Sequence, residues 1–219
     1  MRRSTAEIIR EYGPFPGVDN VGGVTYDGQH VWFAAGDTLN AFDPASGKTL
    51  RSIDVAAHAG TAFDGQHLFQ IAEDRIQKID PKTGRVLATI PAPGGGGDSG
   101  LAWAEGTLWV GQYRDRKIHQ VDPETGAILR TIESNRFVTG VTWVDGELWH
   151  GTWEGDESDL RRSRSSNGRG PGAARDAGRS RRVGARVRRR RSVLLRRRKK
   201  RKGKSDSPPE AKALELFLA

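Results

Sequence analysis

The chain has no cysteine and a single methionine among its 219 residues. The first absence excludes disulfides, thiolate nucleophiles and every cysteine-ligated metal or iron–sulfur centre. No apolar run approaches the ~20 residues of a membrane helix, and Met1-Arg2-Arg3 leads into Ser-Thr-Ala-Glu-Ile-Ile rather than into an apolar signal core. The expectation is a soluble cytoplasmic protein with no membrane partner. Helix periodicity of useful length is missing from residues 1–160. The run Gly94-Gly95-Gly96-Gly97 precedes no helix signal, so it reads as a flexible loop rather than a phosphate cradle. No metal-ligand spacing is present, and no cofactor is expected.

Basic charge is scarce where the aromatic residues are. Residues 1–160 hold 14 Lys+Arg against 23 Asp+Glu, and residues 161–219 hold 22 against 4, so a body of −9 is joined to a tail of +18. The whole-chain value of +9 therefore says nothing about the body, which phosphate would repel.

What the body has is a repeat. Gly23-Val24-Thr25-Tyr26-Asp27-Gly28, Gly60-Thr61-Ala62-Phe63-Asp64-Gly65, Gly100-Leu101-Ala102-Trp103-Ala104-Glu105-Gly106 and Gly140-Val141-Thr142-Trp143-Val144-Asp145-Gly146 align. From Gly28 the turn glycine recurs after 37, 41 and 40 residues. A second anchor recurs in phase at Asp43-Pro44-Ala45-Ser46-Gly47, Asp80-Pro81-Lys82-Thr83-Gly84 and Asp122-Pro123-Glu124-Thr125-Gly126. There Asp bonds local backbone, Pro presets a dihedral and Gly accepts the left-handed region, so these are hairpin corners. Alternation, aromatic and β-branched enrichment and turns about every ten residues predict four short strands per period. Four-stranded units of about 40 residues are the blades of a β-propeller, an all-β fold. Five of the six tryptophans, Trp32, Trp103, Trp109, Trp143 and Trp149, recur in register and read as blade core, while His30 and His67 occupy matching turn positions and read as structural.

The spacing predicts blades over residues 1–161, with an N-terminal strand, residues 6–12, belonging to the last blade. A strand lent in this way would hide the edges where first and last sheets meet. Residues 162–219 form an Arg-rich, low-complexity tail, which reads as disordered. Two explanations of the tail stand side by side. As a genuine tail it would bind nucleic acid nonspecifically, or a protein partner, as a basic adaptor. As a frameshift product it would hide blade sequence: shifted by one nucleotide, the codons of Arg164 to Gly172 permit Asp-Pro-x-Thr-Gly-Glu-Val-Leu. The Asp of that run falls 42 residues after Asp122, as Asp122 falls 42 after Asp80. Gly184 to Arg198 likewise permit Gly-Leu-Glu-Ser-Asp-Gly-Gly-Asp-x-Phe-Phe-Cys-Gly-Gly-Gly, the opening of a fifth blade. On that reading the intact ancestor has five blades and the printed chain is incomplete.

The string Leu108-Trp109-Val110 through Val121-Asp122-Pro123-Glu124-Thr125-Gly126 to Thr131-Ile132 resembles the repeat of the YVTN and NHL-like propellers, a group that includes virginiamycin B lyase. The stretch Val144-Asp145-Gly146-Glu147-Leu148-Trp149 with Thr152-Trp153 resembles the blade of plant-type glutamine cyclotransferases, which are five-bladed. This resemblance implies fold kinship and, as an alternative function, glutaminyl-peptide cyclisation or a lyase-like reaction. Where those cyclotransferases carry an Asn-Glu-Leu-Glu run, this chain has Thr139-Gly140-Val141-Thr142, so the implied catalytic carboxylate is absent and no catalytic residue is assigned.

Propellers bind at the channel mouth, on loops preceding the inner strand and loops joining the second and third strands. The candidate ligand-binding residues there are Asn20, His58, Glu73, Asp98, Gln112, Tyr113, Trp153 and Glu154. His58, Glu73 and Asp98 form a polar rim or are solvated loop residues; Tyr113 and Trp153 either stack on a flat ligand or pack between blades. The function expected is binding of a small molecule or peptide at that mouth.

Overall fold

The computed structural model describes residues 10–155 and 157–163, and every regular element among them is a β-strand. The strands are β1 (Gly23–Tyr26), β2 (Val31–Phe42), β3 (Thr49–Ala57), β4 (Thr61–Phe63), β5 (Leu68–Ala72), β6 (Arg75–Ile79) and β7 (Val86–Pro91). They continue with β8 (Asp98–Ala104), β9 (Thr107–Gln112), β10 (Lys117–Val121), β11 (Ile128–Glu133), β12 (Phe137–Val144), β13 (Glu147–Glu154) and β14 (Glu157–Ser163). They form four antiparallel sheets in chain order: β1-β2-β3, β4-β5-β6-β7, β8-β9-β10-β11 and β12-β13-β14. No helix among the described residues is long and apolar enough to cross a membrane. Arg162 and Ser163, expected in the tail, end β14, while residues 164–219, the frameshift motifs and residues 6–9 of the proposed closing strand lie outside the described residues.

The repeat carries through to the sheets, with two departures. β2 spans the positions of two repeat strands, yet it is not one straight rod. Phe33 and Phe42 are nine residues apart with ring centroids at 5.9 Å, whereas nine extended residues span about 30 Å. The turn lies at Gly36, φ 64°, where the Thr38 hydroxyl donates to the Ala35 carbonyl at 3.1 Å, so the first sheet also has four rungs. The fourth sheet has three strands among the described residues.

The Asp-Pro corners have one construction. In the first, the Asp43 carboxylate accepts the Ala45 and Ser46 N–H groups at 2.8 and 3.1 Å and the Ser46 hydroxyl at 2.7 Å. Asp80 and Asp122 repeat this with Thr83 and Thr125. The outer strand of the first sheet then reaches the corner of the second. Arg51 of β3 donates to the carbonyls of Pro81 and Lys82 at 2.7 and 2.6 Å. Ahead of the first sheet, Arg10 does the same to the Ala45 carbonyl at 3.1 Å, and the Tyr12 hydroxyl donates to that of Pro44 at 2.8 Å. Arg10 to Tyr12 carry no strand assignment but occupy the place of an outer strand against the first sheet.

Between sheets the core is apolar and serial. Trp32, buried, packs with Leu68 and Ile79 of the second sheet. Phe69 stacks on Trp103 of the third at 5.4 Å, and Trp109 on Trp143 of the fourth at 6.2 Å. Nearer the axis the sheets meet backbone to backbone. A Cβ on Gly23 would lie 2.4 Å from the Ala59 carbonyl oxygen, on Gly60 2.2 Å from the Leu101 nitrogen, and on Gly100 2.5 Å from the Val141 nitrogen. Only glycine permits such approach. The series ends at Gly140, whose Cβ position has nothing within 4 Å among the described residues. Trp149, expected in the core like its counterparts Trp32 and Trp109, is instead partly exposed, because no described sheet follows the fourth.

Candidate functional site

The loops before the inner strands and those joining second to third strands lie together at one end of the sheets. Backbone bonds tie them: Ala92 N–H to the Asp74 carbonyl at 2.8 Å, Tyr113 N–H to that of Gly97 at 3.2 Å, and Ser134 N–H to that of Arg116 at 2.7 Å. Within this end the third and fourth sheets bring together an aromatic row. Tyr113 stacks on Phe137 with centroids 4.9 Å apart, and Phe137 on Trp153 at 6.0 Å. The Arg116 guanidinium lies over the Phe137 ring, 4.4 Å from its centroid, and pairs with Glu154 at 3.3 Å. Trp153 is 39% exposed, so one end of the row faces solvent.

Beside it, Asp98 opens β8 and is buried. Burial pushes its carboxyl above the ordinary range; the Gly94 N–H, donating to Oδ2 at 2.9 Å, and the Gln112 amide pull it back, and Asp115 pushes it up again. A Cβ on Gly94 would lie 2.6 Å from Oδ1, so the loop Gly94 to Gly97 is folded onto this carboxyl. The loop is a formed turn, with Gly95 and Gly96 at positive φ. Asp98 fastens that loop, and its charge is a liability. With the folded value raised above the unfolded one, stability is lost as pH rises from the ordinary carboxylate range through the raised value. Asp98→Asn keeps an acceptor for Gly94 and removes the charge. We expect its melting temperature to exceed that of the parent at pH 7–8 and the gain to vanish near pH 3, as followed by circular dichroism.

Of the sequence-predicted residues, Asp98, Gln112, Tyr113, Trp153 and Glu154 are thus gathered around the third and fourth sheets. The other three are not part of that group. His58 is exposed and faces Asp37 at 3.9 Å, Glu73 is an exposed corner residue at φ 57° paired with Arg75 at 3.6 Å, and Asn20 is exposed ahead of β1. Sequence reasoning missed Phe137 and Arg116. Phe137 had a signal, an aromatic residue placed where the other inner-strand approaches carry Asn20, Ala57 or Gly97. Arg116, at φ 57°, had none. His67 and His30 hold the turn positions expected: Asp64 accepts the His67 N–H at 2.6 Å and Asp27 the His30 N–H at 2.6 Å. No group of three or more His, Asp or Glu among the described residues is arranged to hold a metal.

A family model described as outer membrane protein assembly factor BamB matches residues 35–170. No curated protein matches the chain. Among solved structures, glutaminyl cyclase of Myxococcus xanthus is 19% identical over 72% of this chain and 70% of its own, with a TM-score of 0.59. BamB from Moraxella catarrhalis is 15% identical over 68% of this chain and 45% of its own, at 0.50. Hydrazine synthase of Kuenenia stuttgartiensis is 15% identical over 73% and 49%, also at 0.50. At these identities the likeness is one of fold, the β-propeller, and the chain spans less than half the length of the last two.

Proposed function

The chain belongs to the outer membrane protein assembly factor BamB family, whose model covers residues 35–170, and from that premise we propose that it is a binding propeller taking a peptide or small molecule at the loop end of its third and fourth sheets. The observation that carries this reading is the row Tyr113, Phe137 and Trp153, backed by Arg116 and open to solvent at Trp153. Stacked rings with one free face bind a flat or apolar group with little loss of side-chain freedom, since the rings already support one another. The body's net negative charge favours a neutral or cationic ligand over an anionic one.

A cyclase-type reaction, the one the Myxococcus protein is named for, finds its support here in the raised carboxyl of Asp98. Against it, both oxygens of that group are turned into the Gly94 loop and away from solvent. Incubating the chain with the peptide Gln-Phe-Tyr amide separates the readings. We expect saturable quenching of tryptophan emission without a pyroglutamyl product in the mass spectrum. Trp153→Ala should weaken that binding by about fivefold to tenfold, roughly 1 kcal/mol for a lost aromatic contact. Product formation abolished by Asp98→Asn would replace the binding reading with the enzymatic one. An unchanged affinity in Trp153→Ala would remove the aromatic row as the site.

A further inference from the structure

We propose that the open face of the fourth sheet is the seat of a fifth four-stranded sheet, encoded by the same gene in the reading frame adjacent to that of residues 164–219. Two features of the face, and one at the other end of the series, mark an interface that no described residue covers. The inner-strand glycines Gly23, Gly60 and Gly100 each receive the next sheet's backbone within 2.5 Å of their Cβ position, and Gly140 receives nothing among the described residues. The outward ring of the second strand is buried as Trp32, Phe69 and Trp109, and partly exposed as Trp149, where the Arg162 guanidinium lies 5.9 Å from the centroid. At the other end of the series, Tyr26 stands in register with Phe63, Trp103 and Trp143, the rings that face a preceding sheet, and is 40% exposed.

Both ends of the series reach one axis: Val24, Thr61, Leu101 and Val141, one from each sheet, line a common open-sided space, and the proposed sheet takes the place between the fourth and the first. The outer strand of the sheet that would fill it is partly in place. Arg10 bonds the Ala45 carbonyl as Arg51 bonds that of Lys82, and Tyr12 lies 3.9 Å from the Cβ position of Gly47, as Ile53 lies 2.9 Å from that of Gly84.

The occupant's identity follows from phase. Shifted by one nucleotide, the codons from Arg164 permit the missing corner 42 residues after Asp122, followed by Glu-Val-Leu for the outer strand of the fourth sheet. The same frame permits an inner-strand glycine at position 184, 44 residues after Gly140, with an Asp-Gly turn and two aromatic positions behind it. A second copy of this chain fits less well, because its second sheet would fall where the first sheet of the recipient already stands.

The test compares the full chain as printed with a full chain from which one nucleotide has been removed ahead of codon 164, each with Gly140 intact and as Gly140→Val. Melting curves and tryptophan emission are recorded. The restored chain is expected to melt higher and to shift its emission to the blue as Trp149 is covered. Gly140→Val is expected to leave the printed chain unchanged and to lower the melting temperature of the restored chain by about 6–12 °C. Equal responses to Gly140→Val in the two backgrounds overturn the proposal. So does a stop codon, or the absence of Asp-Pro-x-Thr-Gly, in the adjacent frame of the genomic DNA, a result independent of whether either protein folds. A printed chain that dimerises in light scattering, and loses the dimer with Gly140→Val, also overturns it, since a second copy would then be the occupant.

Discussion

Gly100→Ala is expected to destabilise the protein by about 3 kcal/mol or more, and Gly60→Ala by as much, measured as a lowered urea midpoint. The added methyl carbons would sit 2.5 and 2.2 Å from backbone nitrogens of the following sheet, Val141 and Leu101. A clashing side-chain tip can swing aside; the backbone of a strand paired along its length with the next strand of its sheet cannot. The sheets would have to part, and parting them strips cover from Phe69, Trp109 and their neighbours. Gly140→Ala, the same change one period later, is expected within about 0.5 kcal/mol of the parent, as at an open surface position. Were all three variants equally stable, the close approach of the inner strands would not be the feature that spaces the sheets.

His150 carries the second large effect. It lies on β13 between Val141 of β12 and Arg161 of β14, and it is buried on the side facing the third sheet, where Val110 stands at the equivalent place. Burial first, and the Arg161 guanidinium second, push its imidazole down from 6.5 to about 4. Arg161 is itself buried, donates to Asn135 Oδ1 at 2.5 Å and lies 3.7 Å from Asp159, which Arg136 also approaches at 3.5 Å. With a folded value below the unfolded one, a histidine contributes stability that is complete above pH 6.5 and is lost as the pH falls towards 4. The shift corresponds to about 3 kcal/mol over that window. The half-buried turn carboxylates do not obscure it. Burial opposes ionisation of Asp27 and Asp64, but bonds from His30, Trp32 and Gln29 on the one, and from His67 and Gln66 on the other, outweigh it and hold both below 3.8. His150→Val, borrowing the residue of the third sheet, is expected to flatten the curve between pH 6.5 and 4 in urea unfolding. Asp98, whose raised carboxyl acts in the opposite sense over the same window, is common to both proteins, so an unchanged slope in His150→Val would show that the imidazole is not shut in.

The sequence and the structure part company where the repeat stops being a repeat. Strand corners were legible because Asp, Pro and Gly act within five residues of chain, and the cores of the first three sheets because Trp32, Phe69 and Trp109 recur in step. Local chemistry of that kind needs no knowledge of the rest of the molecule. The fate of Trp149 was not legible, since its letters match those of Trp109 and only the presence of a following sheet decides whether it is covered. The candidate site divided in the same way. Tyr113 and Trp153 could be named from their loops, but their alliance rests on Phe137, a residue between them in space and not in spacing. Asp98 could be named as a rim carboxylate, while its engagement by the Gly94 loop depends on a fold-back of four residues that flexible glycines made unreadable.

The nearest-neighbour contact between sheets grades the molecule's resistance to fraying. Opening breaks one junction at a time, and an interior unit cannot loosen until an end has peeled away. β5 and β9, flanked on both sides, are thus the last to surrender their amides to solvent exchange, and β13 and β14 among the first. The proposed ligand row spans the junction of the third and fourth sheets, so whatever binds there clamps the very seam from which unravelling would spread.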